Sequence, residues 1–204
     1  MIPKVAVVIL AAGASTRMGV PKQLLPWGNK SLLNHVIHTA STMDLQIHVV
    51  LGANSRMIQE ALPSGDHIHV HTNPYWDTGL GSSIAFAVKN LEHDKLDGIL
   101  FLLADQPFIS STYLEEMRAH FKENTSSIIV SKFNGNLGVP AIFSSEYFNE
   151  LETLNADVGA KQIIKMHVDK VLKLDADRYV RDIDTLEDYR DAHKAEFGAT
   201  PSDL

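Results

Sequence analysis

Short apolar runs alternate with longer stretches that carry an apolar stripe. Residues 5–10, Val-Ala-Val-Val-Ile-Leu, are uninterrupted and rich in β-branched side chains, the mark of a strand covered on both faces. Residues 31–41 place Leu32, Leu33, Val36, Ile37 and Ala40 on one stripe, with Ser31 as N-cap, and predict a helix. The same reading predicts strands at 46–51, 68–71, 98–104, 128–131, 141–143, 171–174 and 179–182. It predicts helices at 55–62, 82–91, 111–122, 145–154, 159–166 and 185–197. No repeat, low-complexity block or linker interrupts the alternation. The expected fold class is α/β, a three-layer sandwich with a mostly parallel sheet. A single domain is expected over residues 1–197, followed by a loose tail at 198–204. Ligands of such sheets gather outside the carboxyl ends of the strands, which directs attention to the residues just after Leu10 and Leu103.

Composition narrows the function classes. Eighteen Lys and Arg against 25 Asp and Glu give a formal charge of −7. That balance argues against nucleic-acid binding through a broad basic surface, yet leaves room for a small cationic pocket. The absence of cysteine excludes disulfides, thiol nucleophiles, thiolate zinc sites and iron–sulfur clusters, and fits a cytoplasmic protein. The opening Met-Ile-Pro-Lys and its eight apolar followers loosely mimic a signal peptide. One lysine and so short a run favour a buried first strand instead, and no segment is long enough to span a bilayer.

The stretch after the first strand carries the first candidate chemistry. Gly13 to Gly19 fits neither a Walker A loop, since five residues intervene and Val20 comes next, nor the G-x-G-x-x-G dinucleotide pattern. Small residues still let backbone N–H groups approach an anion. Arg17 can fork onto phosphate oxygens and Lys22 can supply a point charge. On composition alone the same loop reads equally as a surface loop with two solvated cations. At the second strand end, Asp105 precedes Gln106-Pro107. Alone it reads as a turn cap or as a metal ligand; beside a polyphosphate loop it favours a metal–nucleotide site.

These residues resemble a known family. The stretch "LAAGASTRMGVPKQLLP" is similar to the signature L-A-A-G-x-S-x-R-M-G-x-x-K-x-L-L-P of nucleotidyltransferases related to molybdenum cofactor cytidylyltransferase. The blocks "NPYWDTGLGSSI", "LLADQP", "GVPAIF", "DVGAKQII" and "DIDTLEDY" come in the family's order and carry the resemblance along nearly the whole chain. Three departures stand out: Leu186 replaces the proline of D-I-D-T-P-E-D, and Ala156 and Lys161 replace the first glycine and the arginine of G-D-x-G-A-R.

The resemblance implies a Rossmann-like nucleotidyltransferase fold and Mg²⁺-dependent transfer of a nucleoside monophosphate. In the closest branch the donor is CTP and the acceptor the terminal phosphate of molybdenum-loaded molybdopterin. Transient contact with a molybdoenzyme or its chaperone is implied by that branch, while the charge balance and the short apolar runs predict no nucleic-acid or membrane partner. Other phosphorylated acceptors, such as a sugar or alcohol phosphate, and GTP as donor remain open. So does a module that binds the cofactor without catalysis. By the same resemblance the catalytic residues are Arg17, Lys22 and Asp105. The loop amides from Ala12 through Gly13 and Ala14 to Ser15 hold phosphates. Leu10, Ala11 and Ala12 face the base, with Asn73, Gly79 and Ser83 contacting base and ribose. Asp105 binds Mg²⁺ with Asp182, or less readily Asp184, the last two expected on one side of a strand end. The alternative role for Asp184 is capping, with Thr185, of the last helix. Ala12 stands where the cytidylyl branch has alanine and the guanylyl branch glycine. Outside this set, His67, His69 and His71 alternate along one strand face, where a solvated face is favoured over a metal site, and Trp76 either stacks on a ligand or anchors its loop.

Overall fold

A computed structural model of the chain describes residues 2–92, 95–125, 127–156 and 159–201. Seven strands form one sheet: β1 (Val5–Ala11), β4 (Ile47–Leu51), β5 (Ile68–Thr72), β6 (Gly98–Leu103), β7 (Ile128–Phe133), β8 (Asn136–Ser144) and β9 (Val171–Asp175), in the order β5-β4-β1-β6-β8-β7-β9. A two-stranded ribbon, β2 (Pro26–Trp27) with β3 (Lys30–Ser31), stands apart. Every residue of β1 is buried, as its unbroken apolar run requires of a strand covered on both faces.

One face of the sheet is covered by α1 (Leu32–Ser41), α2 (Ser55–Glu60) and α4 (Ser111–Glu123), the other by α3 (Leu80–Asn90), α5 (Phe148–Glu152) and α6 (Lys161–Met166). The last helix, α7 (Leu186–Phe197), packs Tyr189 and Ala192 against Trp27 and Leu32 in a separate cluster. Helix starts are set by the polar residues that precede them. The hydroxyl of Ser31 accepts from the Asn34 amide, that of Ser110 from Tyr113, and Thr185 with Asp188 forms a reciprocal capping box. The sheet is parallel except for β8, which runs antiparallel between β6 and β7. Because β1 lies between β4 and β6, the chain crosses over to both sides of it, and the carboxyl end of β1 is a topological switch point. Among the described residues no helix is long and apolar enough to cross a membrane.

Two expectations are corrected. The strand at 141–143 is the C-terminal part of the longer β8, which begins at Asn136. Residues 179–182 are not a strand: Tyr179 and Val180 donate their amides to the Ala176 carbonyl and close a turn. The segment then runs on as a connection tied to β6's end by the Ile183 amide, which donates to the Asp105 carbonyl at 3.1 Å. Asp182 and Asp184 therefore lie on this connection and not on a strand end. At the other end of α7, Gly198 adopts φ 75° and His193 donates to the Ala199 carbonyl; residues 202–204 of the expected tail, and Asp157 and Val158 of the "DVGAKQII" block, lie outside the described residues.

The alternating histidines find partners one by one. His67 meets the Ser41 hydroxyl and His69 the Gln46 amide oxygen, while His71 Nε2 lies 3.0 Å from Nδ1 of His48 on β4. His69 also stacks on His48, with centroids 4.9 Å apart. Burial and then its histidine neighbours lower the His48 pKa to about 4, and burial and His69 lower that of His71. The folded protein thus keeps both rings neutral where the unfolded chain would take up protons, so this contribution is complete above pH 6.5 and is lost as pH falls toward 4. The expected loss between pH 7 and 4.5 is about 1–2 kcal/mol after discounting for solvent screening. Urea midpoints at the two pH values, compared with those of His48→Asn, check it: the variant should lose less stability on acidification.

Candidate active site

A cleft of about 490 Å³ opens at the carboxyl ends of β1 and β6. The chain from Leu10 to Gly13 forms one wall, Leu103 to Asp105 the floor beside it, and Gly79, Leu80 and Ser83 at the start of α3 the facing wall. Lys22, Asp182 and Asp184 close the polar end, and Trp76 lines the mouth. Leu10, Ala11, Ala12, Gly13, Lys22, Gly79, Ser83, Asp105, Asp182 and Asp184 are thus brought together from separate stretches of the chain.

The polar end is an ion-pair network. Lys22 Nζ donates to Asp105 Oδ2 at 2.5 Å, to the Ile183 carbonyl at 3.0 Å and to Asp184 Oδ1 at 3.2 Å. Arg17 pairs with the other oxygen of Asp184 at 3.4 Å but is largely exposed and lies outside the cleft lining. Burial disfavours the Lys22 ammonium, but Asp105 and then Asp184 outweigh it and hold the pKa above the ordinary lysine value. Burial also pushes the Asp105 carboxyl up, against the pull of Lys22 and with a further push from Asp182. Both directions describe one pair, drawn partly out of water together, in which burial disfavours each charge and the partner favours it. The second oxygen of Asp105, Oδ1, is buried and accepts no hydrogen bond among the described residues.

Two glutamines that sequence reasoning passed over hold this arrangement together. Gln23 is buried, and its Nε2 donates to the carbonyls of Ala11 and Gly13, both at 2.9 Å, which pins the loop where it leaves β1. Gln106 is buried too, and its Nε2 donates to Asp182 Oδ1 at 2.8 Å and to the Val139 carbonyl, fixing the third carboxylate. Each sits inside a signature motif, between Lys22 and Leu24 and between Asp105 and Pro107. Nothing in the spacing distinguishes a bracing amide from a solvated one.

Three expected contact residues serve the scaffold or stand off the cleft. Ser15, at φ 54°, uses its hydroxyl to accept the Lys22 amide and to donate to Gln23 Oε1. Asn73 is fully buried behind the cleft wall: its Nδ2 donates to the hydroxyls of Ser82 and Ser83, and its Oδ1 accepts from the Tyr75 amide. It therefore anchors the start of α3 and orients Ser83. Ala14, like Ser15, does not line the cleft. Gly79 has φ 117°, a conformation that excludes most side chains, and this lets the chain enter α3 at the cleft edge.

The donor set at the polar end is all oxygen, as a hard divalent cation requires. Among the described residues no three His, Asp or Glu side chains surround a single ion position.

The chain is similar to known proteins. A family model described as the MobA-like NTP transferase domain matches residues 7–171. Purine catabolism protein PucB of Bacillus subtilis is 31% identical over 192 residues, covering 89% of this chain and 92% of PucB. The bifunctional protein GlmU of Pseudomonas putida F1 is 33% identical over 143 residues, 69% of this chain but 30% of GlmU. The crystal structure of Rv0371c in complex with manganese, from Mycobacterium tuberculosis H37Rv, superimposes with a TM-score of 0.80 at 26% identity, over 95% of this chain and 100% of that one. With its switch-point cleft and its matched signature, the chain belongs to the MobA-like NTP transferase family and is a nucleotidyltransferase.

Proposed function

We propose that the protein transfers CMP from CTP to the terminal phosphate of molybdenum-loaded molybdopterin, giving molybdopterin cytosine dinucleotide and pyrophosphate, in the cytoplasm. The observation that carries this reading is Asp105: a partly buried carboxylate just past the end of β6, paired with Lys22, with one oxygen left without a partner among the described residues in a cleft walled by the glycine loop. Asp105 and Asp182 would hold Mg²⁺, which supplies a Lewis acid for the phosphates when bound. An acceptor phosphate oxygen attacks the α-phosphorus, a new P–O–P bond forms, and the bond to the β-phosphate breaks with its electron pair leaving on pyrophosphate. The acceptor is already an anion near neutral pH, so the chain need not supply a strong base. Lys22 lies beside the α-phosphate position, Arg17 offsets charge on the β- and γ-phosphates, and the loop amides orient the chain of phosphates. The product then passes to a molybdoenzyme or its chaperone in a transient contact.

Base choice rests on Ala12, which is buried in the cleft wall with its carbonyl held by the Ala53 amide at 3.0 Å. Its methyl narrows the space beside the base, a lever of about 1–3 kcal/mol. Pyrophosphate release measured across CTP, GTP, ATP and UTP, with molybdopterin and with sugar and alcohol phosphates as acceptors, tests the reading. CTP with molybdopterin should turn over fastest, and Ala12→Gly should lower the CTP/GTP preference by about tenfold. A sugar phosphate that outpaces molybdopterin would replace the acceptor, and saturable CTP binding without pyrophosphate release would leave a binding module.

A further inference from the structure

The polar end of the cleft already contains a cation. Lys22 Nζ has three acceptors within 3.2 Å, which fills all three donors of an ammonium. Its side chain and that of Asp105 are only 16% and 15% exposed, so their attraction is screened far less than that of a surface pair. Around this ammonium the Asp105, Asp182 and Asp184 carboxylates face two cations, Lys22 and Arg17, and leave one net negative charge. A divalent ion arriving alone would reverse that to one net positive charge in a partly dry cleft. It would also share one carboxylate with the ammonium, and two cations on the same carboxylate repel.

Resting on the reading that Asp105 is a metal ligand, we propose that Lys22 is the resident counter-ion of the site and gates metal entry. While its ammonium holds Asp105, the cleft binds a bare divalent cation weakly. A triphosphate offers Lys22 new anionic partners, the lysine turns from Asp105 to phosphate, and the carboxylate is released to the metal at the moment the nucleotide is in place. The weak grip of the half-exposed Asp184 and of a single carbonyl lets the lysine turn once phosphate competes for it. The unpartnered Oδ1 of Asp105 belongs to the same device: it is an acceptor left open beside an acceptor already taken.

Manganese binding, read by the loss of the free-ion electron paramagnetic resonance signal, separates the possibilities. Without nucleotide, Lys22→Met should bind Mn²⁺ about tenfold or more tighter than the wild type, and adding Asp105→Asn should abolish the gain. With a non-reactive CTP analogue present, the wild type should gain at least as much affinity, and Lys22→Met much less. Lys22→Gln, measured in the same way, serves if the methionine variant does not fold. Lysine variants that fold and bind bare Mn²⁺ no tighter than the wild type, while Asp105→Asn still weakens binding with the analogue present, would overturn the gate alone. If Asp105→Asn leaves Mn²⁺ binding unchanged with the analogue present, both the gate and the metal assignment fall.

Discussion

Asp105→Ala should lower kcat/KM for pyrophosphate release from CTP by about 10³-fold while leaving the thermal midpoint within a few degrees of the wild type. The catalytic loss comes from removing the partly buried carboxylate that holds Lys22 most closely and faces the open cleft. Stability should change little because two effects oppose each other. The variant loses the ion pair, yet it also relieves a carboxylate that burial and the neighbouring Asp182 both make uncomfortable. Lys22 keeps the Ile183 carbonyl and Asp184 as acceptors, and the backbone bond from Ile183 to the carbonyl of residue 105 does not depend on the side chain. Pyrophosphate release and a melting curve on the same preparation check both halves. Near-wild-type turnover would remove Asp105 from the chemistry, and a collapse in melting temperature would give it a structural role instead.

The site was legible where it depends on strand ends. An unbroken β-branched run such as Val5–Leu10 favours a strand buried on both faces, and the carboxyl-end rule then points to the adjoining loop and to Asp105 after β6. The α1 stripe and its serine cap were equally plain. Features that depend on distant partners were not. Tyr179 and Val180 are strand-forming residues and make 179–182 read as a short strand, but Val180 and Ile183 are buried in two different clusters as the connection passes the end of the sheet. Trp27 lies in a two-residue strand too short to show a period, and it is held by Phe108, Tyr189 and Phe197 from far along the chain. His48 attracts no notice until the β4–β5 register sets it opposite His69. Asn73 reads as a ligand contact because it is a polar residue opening the "NPYWDTGLGSSI" block that carries the resemblance. Only tertiary structure shows it wholly enclosed, with its amide spent on two serines and a backbone N–H.

Gly52→Ala should be the most damaging methyl in the protein for both fold and binding. Gly52 follows β4 directly behind the cleft wall, and a Cβ there would stand 2.4 Å from the Cβ of Trp76 and 2.6 Å from the Ala12 carbonyl oxygen. Neither neighbour is the free end of a flexible side chain. Trp76 is met at its root, and the Ala12 carbonyl is fixed by the Ala53 amide at 3.0 Å. The backbone must therefore move, at a cost of about 2–3 kcal/mol, which lowers the melting midpoint of a chain this size by about 5–10 °C. Ala12 and Trp76 both line the cleft, so the shift that relieves the clash should also raise KM for the nucleotide by about tenfold. Gly13→Ala provides the contrast, because a Cβ at Gly13 meets nothing within 4 Å. That variant should melt within about 2 °C of the wild type, yet raise KM for CTP, since its methyl projects into space that the phosphates need. Melting curves and nucleotide KM values for the pair decide the matter: equal stability of the two variants would mean that the tight contact behind the loop does not support the fold, and an unchanged KM in Gly13→Ala would mean that the loop does not hold phosphate.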